Sequence, residues 1–341
     1  MYSAPPLAVR IAATEDSSLL DTALMIVPEL VDQVRILDAL VPFCLQPHSE
    51  PIRETVAQIL ATCTSLRDLN IACASAHNVL EHVISIMRRS RAKRPLTMLR
   101  KLQLSGFPQH PAIDGRVLSG ILQLAPELRE FSFSQVRHGY MANLNPAAFG
   151  PKLRALDTSV DLTEQLLTGD GGILPRHLFI GDVAPIGGPR EEYFSQVYRL
   201  LVLTPAVKLH NIRSVTLIQI RFAPTTFGTA ISTLVRLRHL VLRGVKDLQP
   251  FVALALEQIL LNVAPGLKTL ELNASALREE SAVDPLLAIS SVVSRVFEAG
   301  RLRTLRVLMI KTLEESVDPQ SSLTLVNLCS RRRINVVIRA A

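Results

Sequence analysis

An α/β repeat solenoid is the fold class this sequence predicts, and three observations carry the prediction. One short spelling of leucine and arginine returns along most of the 341 residues, and the segments between its copies have a helical period. The apolar weight is aliphatic: 48% of residues are hydrophobic, only 4% are aromatic, and tryptophan is absent. With 20% charged residues the chain has ample material for a large core and too little charge for disorder.

The strands come first. The spelling reads "LRDLNI" from Leu66, "LRKLQL" from Leu99, "LREFSF" from Leu128, "LRALDT" from Leu153, "IRSVTL" from Ile212, "LRHLVL" from Leu237, "LKTLEL" from Leu267 and "LRTLRV" from Leu302. Weaker copies start at Val34 and Pro175, while "PLAVRIAA" and "RRINVVIRA" read as terminal strands. Successive copies from Leu66 onward begin 22 to 37 residues apart, which is the spacing of a repeat protein. Within a copy, extended backbone sends alternate side chains to opposite faces, so Leu240 and Leu242 point one way and His239 and Val241 the other.

Between strands the period changes. In "AHNVLEHVISIMRR" the apolar residues Val79, Leu80, Val83, Ile84 and Met87 fall on one helical stripe, and Val252, Leu256, Ile259, Leu260 and Val263 do so in "FVALALEQILLNV". Asp284 followed by Pro285 is a helix cap and a first-turn proline. Strand, helix, strand at this spacing gives parallel strands joined by right-handed crossovers. One such unit cannot bury its own leucines, so neighbours stack. Strands need about 4.8 Å each and helices about 10 Å, so the expected stack curves with the sheet on its concave side and the helices on its convex side. The whole of residues 1–341 reads as a single domain of about ten to twelve irregular units, with residues 181–198 an insertion in the longest one.

This pattern resembles the leucine-rich repeat family, whose Leu-x-x-Leu-x-Leu phrase the eight copies match. The second half of the family phrase is not matched: Phe107, Val136, Val245 and Ser275 stand where an asparagine ladder would. The irregular lengths and the "LR-x-L-x-L" spelling are most similar to the repeat region of fungal and plant F-box proteins. That resemblance implies a non-catalytic scaffold, like the substrate-recognition part of a ubiquitin-ligase receptor, binding a protein partner on the concave face. An F-box itself is not recognisable; "IVPELVDQVRIL" at 26–37 serves equally as a helix end and the strand of another repeat. The chain reads as beginning inside the repeat array, with no capping unit ahead of it. The alternative on the same fold is a regulator of a small GTPase, or a nuclear transport or RNA-associated adaptor.

Several function classes find no support. The longest charge-free runs, "HGYMANLNPAAFGP" and "FAPTTFGTAISTLV", fall short of the roughly 18 to 20 apolar residues of a membrane span, and the amino terminus is not a secretory signal. The four cysteines, Cys44, Cys63, Cys73 and Cys329, are scattered as reduced thiols of the cytoplasm or nucleus would be. No catalytic or nucleotide-binding motif occurs, and "GDGGI" at 169–173 reads as a turn. His77 and His82 are five apart on a helix, the wrong offset for a metal pair. No enzyme activity, cofactor or metal is expected, and the chain is expected to be a monomer.

Four features bear on binding. The residue after the first apolar anchor is basic in each internal unit: Arg35, Arg67, Arg100, Arg129, Arg154, Arg176, Arg213, Arg238, Lys268 and Arg303. This seam could steer an acidic protein or RNA. The reading preferred from the sequence is structural, each side chain bonding free carbonyls where a helix has just ended. Without interleaved aromatics, nucleic acid is a poor fit. The concave face presents Asp68, Lys101, Glu130, Asp157, His177, Phe179, His239, Glu271 and Arg306, a mixture of signs that suits a protein or peptide. In the insertion, Tyr193, Phe194 and Tyr198 are either contact anchors or, as their helical spacing favours, a buried stripe. The basic runs at 88–94 and 331–333 adjoin helix ends and read as solvated charge.

Overall fold

The structure is a computed structural model, and it describes residues 7–12, 34–41, 60, 63, 65–73, 80–81, 84–85, 95–105, 114–134, 141, 143–181, 192–218, 227–243, 250–274, 284–312 and 318–340. The chain divides into two compact units, Met1–Leu174 and Pro175–Ala341. Both are α/β with all-parallel strands that follow one another in chain order, as the repeated spelling predicts.

Unit 1 contains β1 (Leu7–Ala12), β2 (Val34–Val41), β3 (Asp68–Cys73), β4 (Lys101–Ser105), β5 (Glu130–Ser134) and β6 (Ala155–Ser159). Each pairs in parallel with the next, and the register holds equivalent residues side by side: Asp68, Lys101 and Glu130 align, as do Asn70, Gln103, Ser132 and Asp157. The apolar residues at the fourth and sixth places of the spelling therefore stack inward. Leu69, Ile71, Leu102, Leu104, Phe131 and Leu156 are all buried, and Phe131 packs edge-on to Phe149 at 5.3 Å. Val34–Leu37 of the phrase at 26–37 lie in β2, as the strand reading of that phrase expects; residues 26–33 are outside the described residues. Of the predicted helical stripe at 79–87, Leu80 and Ile84 are helical and buried, and the other three residues are outside the described set.

Unit 2 contains β7 (His177–Gly181), β8 (Ser214–Leu217), β9 (His239–Leu242), β10 (Thr269–Ala274), β11 (Val307–Thr312) and β12 (Asn335–Ala340). These too pair in parallel, with Leu178, Val215, Leu240, Leu270 and Leu308 forming one inward row. The helix Pro250–Asn262 buries Leu256, Ile259, Leu260 and Val263, the stripe expected from its period. Helix Pro285–Glu298 starts as predicted: Asp284 caps it, its Oδ1 accepting from Leu286 N at 2.8 Å, with proline at the first position. Gly228 is needed where two helices meet, because a Cβ there would lie 2.5 Å from the Gln258 carbonyl oxygen.

A single turn recurs at seven strand entries, those of β4 to β6 and β8 to β11. The anchor N–H donates to the carbonyl three residues earlier: Leu99 to Leu96, Leu128 to Ala125, Leu153 to Gly150, Ile212 to Leu209, Leu237 to Leu234, Leu267 to Ala264 and Leu305 to Leu302. The strand then begins two residues after the anchor. This corrects the last unit, where the sequence places the anchor at Leu302. "LRTLRVLMI" contains the spelling twice, and the strand uses the second copy, from Leu305. Leu302 is in the left-handed region at φ 55°, two residues after Gly300 at φ 71°, so the helix end is wound out before the anchor is reached. Arg306, not Arg303, is therefore the seam residue. Val307 and Met309, not Thr304 and Arg306, face outward. Thr304 sits in the turn, its hydroxyl 2.6 Å from the Pro265 carbonyl oxygen.

Candidate functional site

The outward face of the strands remains open to solvent at Lys101 and Glu130 in unit 1 and at His177 and His239 in unit 2. Asp68, Asp157, Phe179 and Glu271 lie on the same faces and are half-buried. Of the nine concave-face positions read from the sequence, eight are outward strand residues, and Arg306 is corrected to the strand-entry edge.

The two units dress this face differently. In unit 1 the first outward row alternates in sign, Asp68, Lys101, Glu130, across neighbouring strands. Its second row is polar throughout, and Ser132 Oγ donates to Asp157 Oδ2 at 2.9 Å. In unit 2 the corresponding first row is His177, Ser214, His239, Thr269 and Val307, with no carboxylate. Its second row is largely apolar, Phe179, Thr216, Val241, Glu271 and Met309. The Arg243 guanidinium lies over the Phe179 ring at 5.0 Å, and Lys311 Nζ meets Glu271 Oε1 at 2.8 Å. Desolvation first, then the positive charges of His177, Arg238 and Lys268, holds the His239 imidazole below the usual histidine range.

The seam becomes a ladder at the strand entries. Each basic residue's carbonyl accepts from the next basic residue's N–H: Arg100 to Arg67 at 2.7 Å, Arg129 to Arg100 and Arg154 to Arg129 at 2.8 Å in unit 1. In unit 2 the chain of bonds runs Arg213 to Arg176, Arg238 to Arg213 and Lys268 to Arg238 at 2.8 Å, then Arg306 to Lys268 at 2.9 Å. Ile334, buried, takes the next place, so the ladder stops at Arg306. The carbonyl-capping task expected for the seam is met at Arg303, which lies outside the ladder, and by two arginines outside the seam. Arg303 Nε donates to Gly300 O at 2.9 Å, Arg301 Nε to Leu261 O at 2.5 Å and an Arg332 nitrogen to Phe297 O at 3.2 Å. Among the described residues, no ladder side chain makes a hydrogen bond or an ion pair.

In unit 1 the ladder has acids close by. Lys152 Nζ donates to Glu127, and that bond, with the charges of Arg129 and Arg100, holds the Glu127 carboxyl below the usual carboxylate range. Unit 2 has no counterpart to Glu127 in the turns that enter its strands.

Of the insertion, residues 182–191 lie outside the described residues, and 192–203 form a helix. Its buried stripe is Val197, Leu200 and Leu201, and Tyr198 is 43% exposed, which corrects the expectation that Tyr198 is buried. The side chains of Tyr193 and Phe194 are outside the described set, as are His77, His82 and the basic run at 88–94. Of the run at 331–333, Arg332 also stacks over the Phe297 ring at 4.6 Å. Cys63 and Cys329 are buried, and burial pushes the Cys329 thiol up to about 11. Among the described residues, no group of His, Cys, Asp and Glu is placed to hold a metal ion, and no helix is long and apolar enough to cross a membrane.

No family model matches the chain, and no curated protein matches it. Among solved structures, a protein from Bacteroides fragilis aligns over 97% of this chain and 73% of its own, at 10% identity and a TM-score of 0.42.

Proposed function

We propose that the chain is a non-catalytic protein-binding scaffold of the leucine-rich repeat kind, taking its partner on the outward faces of its strands. The observation that carries this is the division of labour within each strand. Leucines at fixed positions are buried one after another, while the residues between them stay accessible and differ from strand to strand. Inward repetition serves stacking, and outward variety in a solvent-facing row is what recognition of one particular partner requires. On this reading the chain plays the part that the repeat region plays in F-box receptors, selecting a protein for another machine. Localisation in the cytoplasm or nucleus belongs to the same proposal.

Proximity labelling in the native cell, followed by binding of the recovered partner to the purified chain, tests it. The variant His239→Ala/Glu271→Ala/Phe179→Ala is expected to keep the melting curve and to lose about tenfold or more in affinity, as central contact residues do. Unchanged affinity would move the site off the outward face of unit 2. The helix around Tyr193 and the exposed Tyr198 would then be the next surface to examine.

A further inference from the structure

We infer that the strand-entry edge of unit 2 is the docking surface for an acidic segment of a partner protein, one in which Asp or Glu is interleaved with apolar residues. This deepens the protein-binding reading above and rests on it. The edge carries one cation per strand, Arg176, Arg213, Arg238, Lys268 and Arg306, so neighbours are set about one strand spacing apart, roughly 4.8 Å. Because their main chains are bonded to one another at 2.8 to 2.9 Å, the backbone holds the stems of these side chains side by side, and only their head groups can splay apart. The turns leading into β9 and β11 add Arg236 and Arg303. None of the segments 171–179, 205–217, 232–242, 263–270, 299–310 and 331–339 contains an Asp or a Glu; Glu271, the acid of the second outward row, is engaged by Lys311.

Two comparisons within the chain separate this from an ordinary solvated edge. At the two helix ends that lead into β10 and β11, the carbonyls are taken by Arg301, Arg303 and Arg332 and not by Lys268 or Arg306. Unit 1 has the same ladder position, yet there Glu127, Asp68 and Glu130 accompany it. Compensation is thus available to this repeat, and unit 2 does without it. A partner's carboxylates would supply what the chain withholds.

The neighbouring outward residues decide what kind of anion fits. Val241, Val307 and Met309 stand half-buried beside the cations, which suits apolar side chains between carboxylates. A nucleic acid would call for large open rings on which bases stack; Phe179 is already covered by Arg243, which leaves the smaller imidazoles of His177 and His239.

The test uses the full chain and a fluorescein-labelled peptide of four Glu-Glu-Leu-Glu repeats, with anisotropy read at low and high salt. Binding at low salt that weakens at high salt is expected. Arg213→Gln/Arg238→Gln/Lys268→Gln should weaken it about tenfold or more, and the unit 1 triple Arg67→Gln/Arg100→Gln/Arg154→Gln by less than about twofold. Arg238→Gln alone, which disturbs the turn least, should weaken it about two- to threefold and serves if the triple does not fold. No binding at low salt, equal loss in both triples, or no change in Arg238→Gln overturns the inference. So does an oligouridylate that binds more tightly than the peptide and loses affinity in the same variants, which would assign the edge to RNA. If the peptide fails in these ways while the recovered partner still depends on His239 and Glu271, the face reading stands and only the acidic assignment falls.

Discussion

Units 1 and 2 are built from the same repeat and expose different chemistry. Inward, Leu69, Leu102 and Phe131 in one unit occupy the places of Val215, Leu240 and Leu270 in the other, and all are buried. Outward, the row Asp68, Lys101, Glu130 sets two acids around one base, whereas His177, Ser214, His239, Thr269, Val307 carries no acid beside five ladder cations. Packing constrains the first set to one shape and leaves the second free, because an outward side chain on an open sheet meets water whatever its charge. The difference between the units is therefore where a binding function is to be sought.

Truncating the inward row has the largest expected effect, and it should be alike in both units. Leu240→Ala, Leu270→Ala and Leu102→Ala each remove a side chain with no exposure and are expected to cost about 2 to 5 kcal/mol, read as a lowered unfolding midpoint in urea. Leu308→Ala belongs to this class, while Val307→Ala next to it should cost far less; equal costs would break the corrected register of β11. Next comes Asp284→Ala, which removes a helix cap and is expected to cost about 1 kcal/mol.

Smaller effects sharpen the outward comparison. His239→Gln should change stability by about half a kcal/mol or less at pH 7.5, where the imidazole is neutral folded or unfolded. Its folded pKa is depressed, so as pH falls through the unfolded value of about 6.5 the unfolded chain takes the proton more readily and the native protein loses stability. The loss is absent above about pH 7.5 and complete below the folded value. His239→Gln should thus lose less stability than the unmodified chain between pH 7.5 and pH 5, and equal losses would contradict the placement of His239 among cations. Last, the Cys329 thiol, buried and pushed up to about 11, should stay unlabelled by a maleimide at neutral pH until denaturant opens the chain.

Much of this was legible in the residues themselves, because a period of two with leucine at alternate places identifies an inward face without knowledge of its neighbours. The places where the reading failed have specific causes. "LRTLRVLMI" holds two overlapping copies of the spelling, and only the left-handed backbone at Leu302 selects the second. Tyr198 shares a helical face with Phe194, but the stripe Val197, Leu200, Leu201 outweighs that pair, and the full helix had to be weighed to see it. The ladder arginines were visible as a regularity. Their task was not, since whether a carbonyl is free depends on turn geometry, and at the helix ends before β10 and β11 those carbonyls go to Arg301, Arg303 and Arg332. The contrast between units was hidden by the formal net charge of +7, which averages over both.

Hydrogen–deuterium exchange on the full chain, with and without the Glu-Glu-Leu-Glu peptide, tests the central claim most directly. Slowed exchange at the strand entries 212–217, 237–242 and 305–310, with 66–71, 99–104 and 128–133 unchanged, is the result that a unit 2 binding edge predicts. Equal protection of both sets, or protection confined to the helices 250–262 and 285–298, would contradict it.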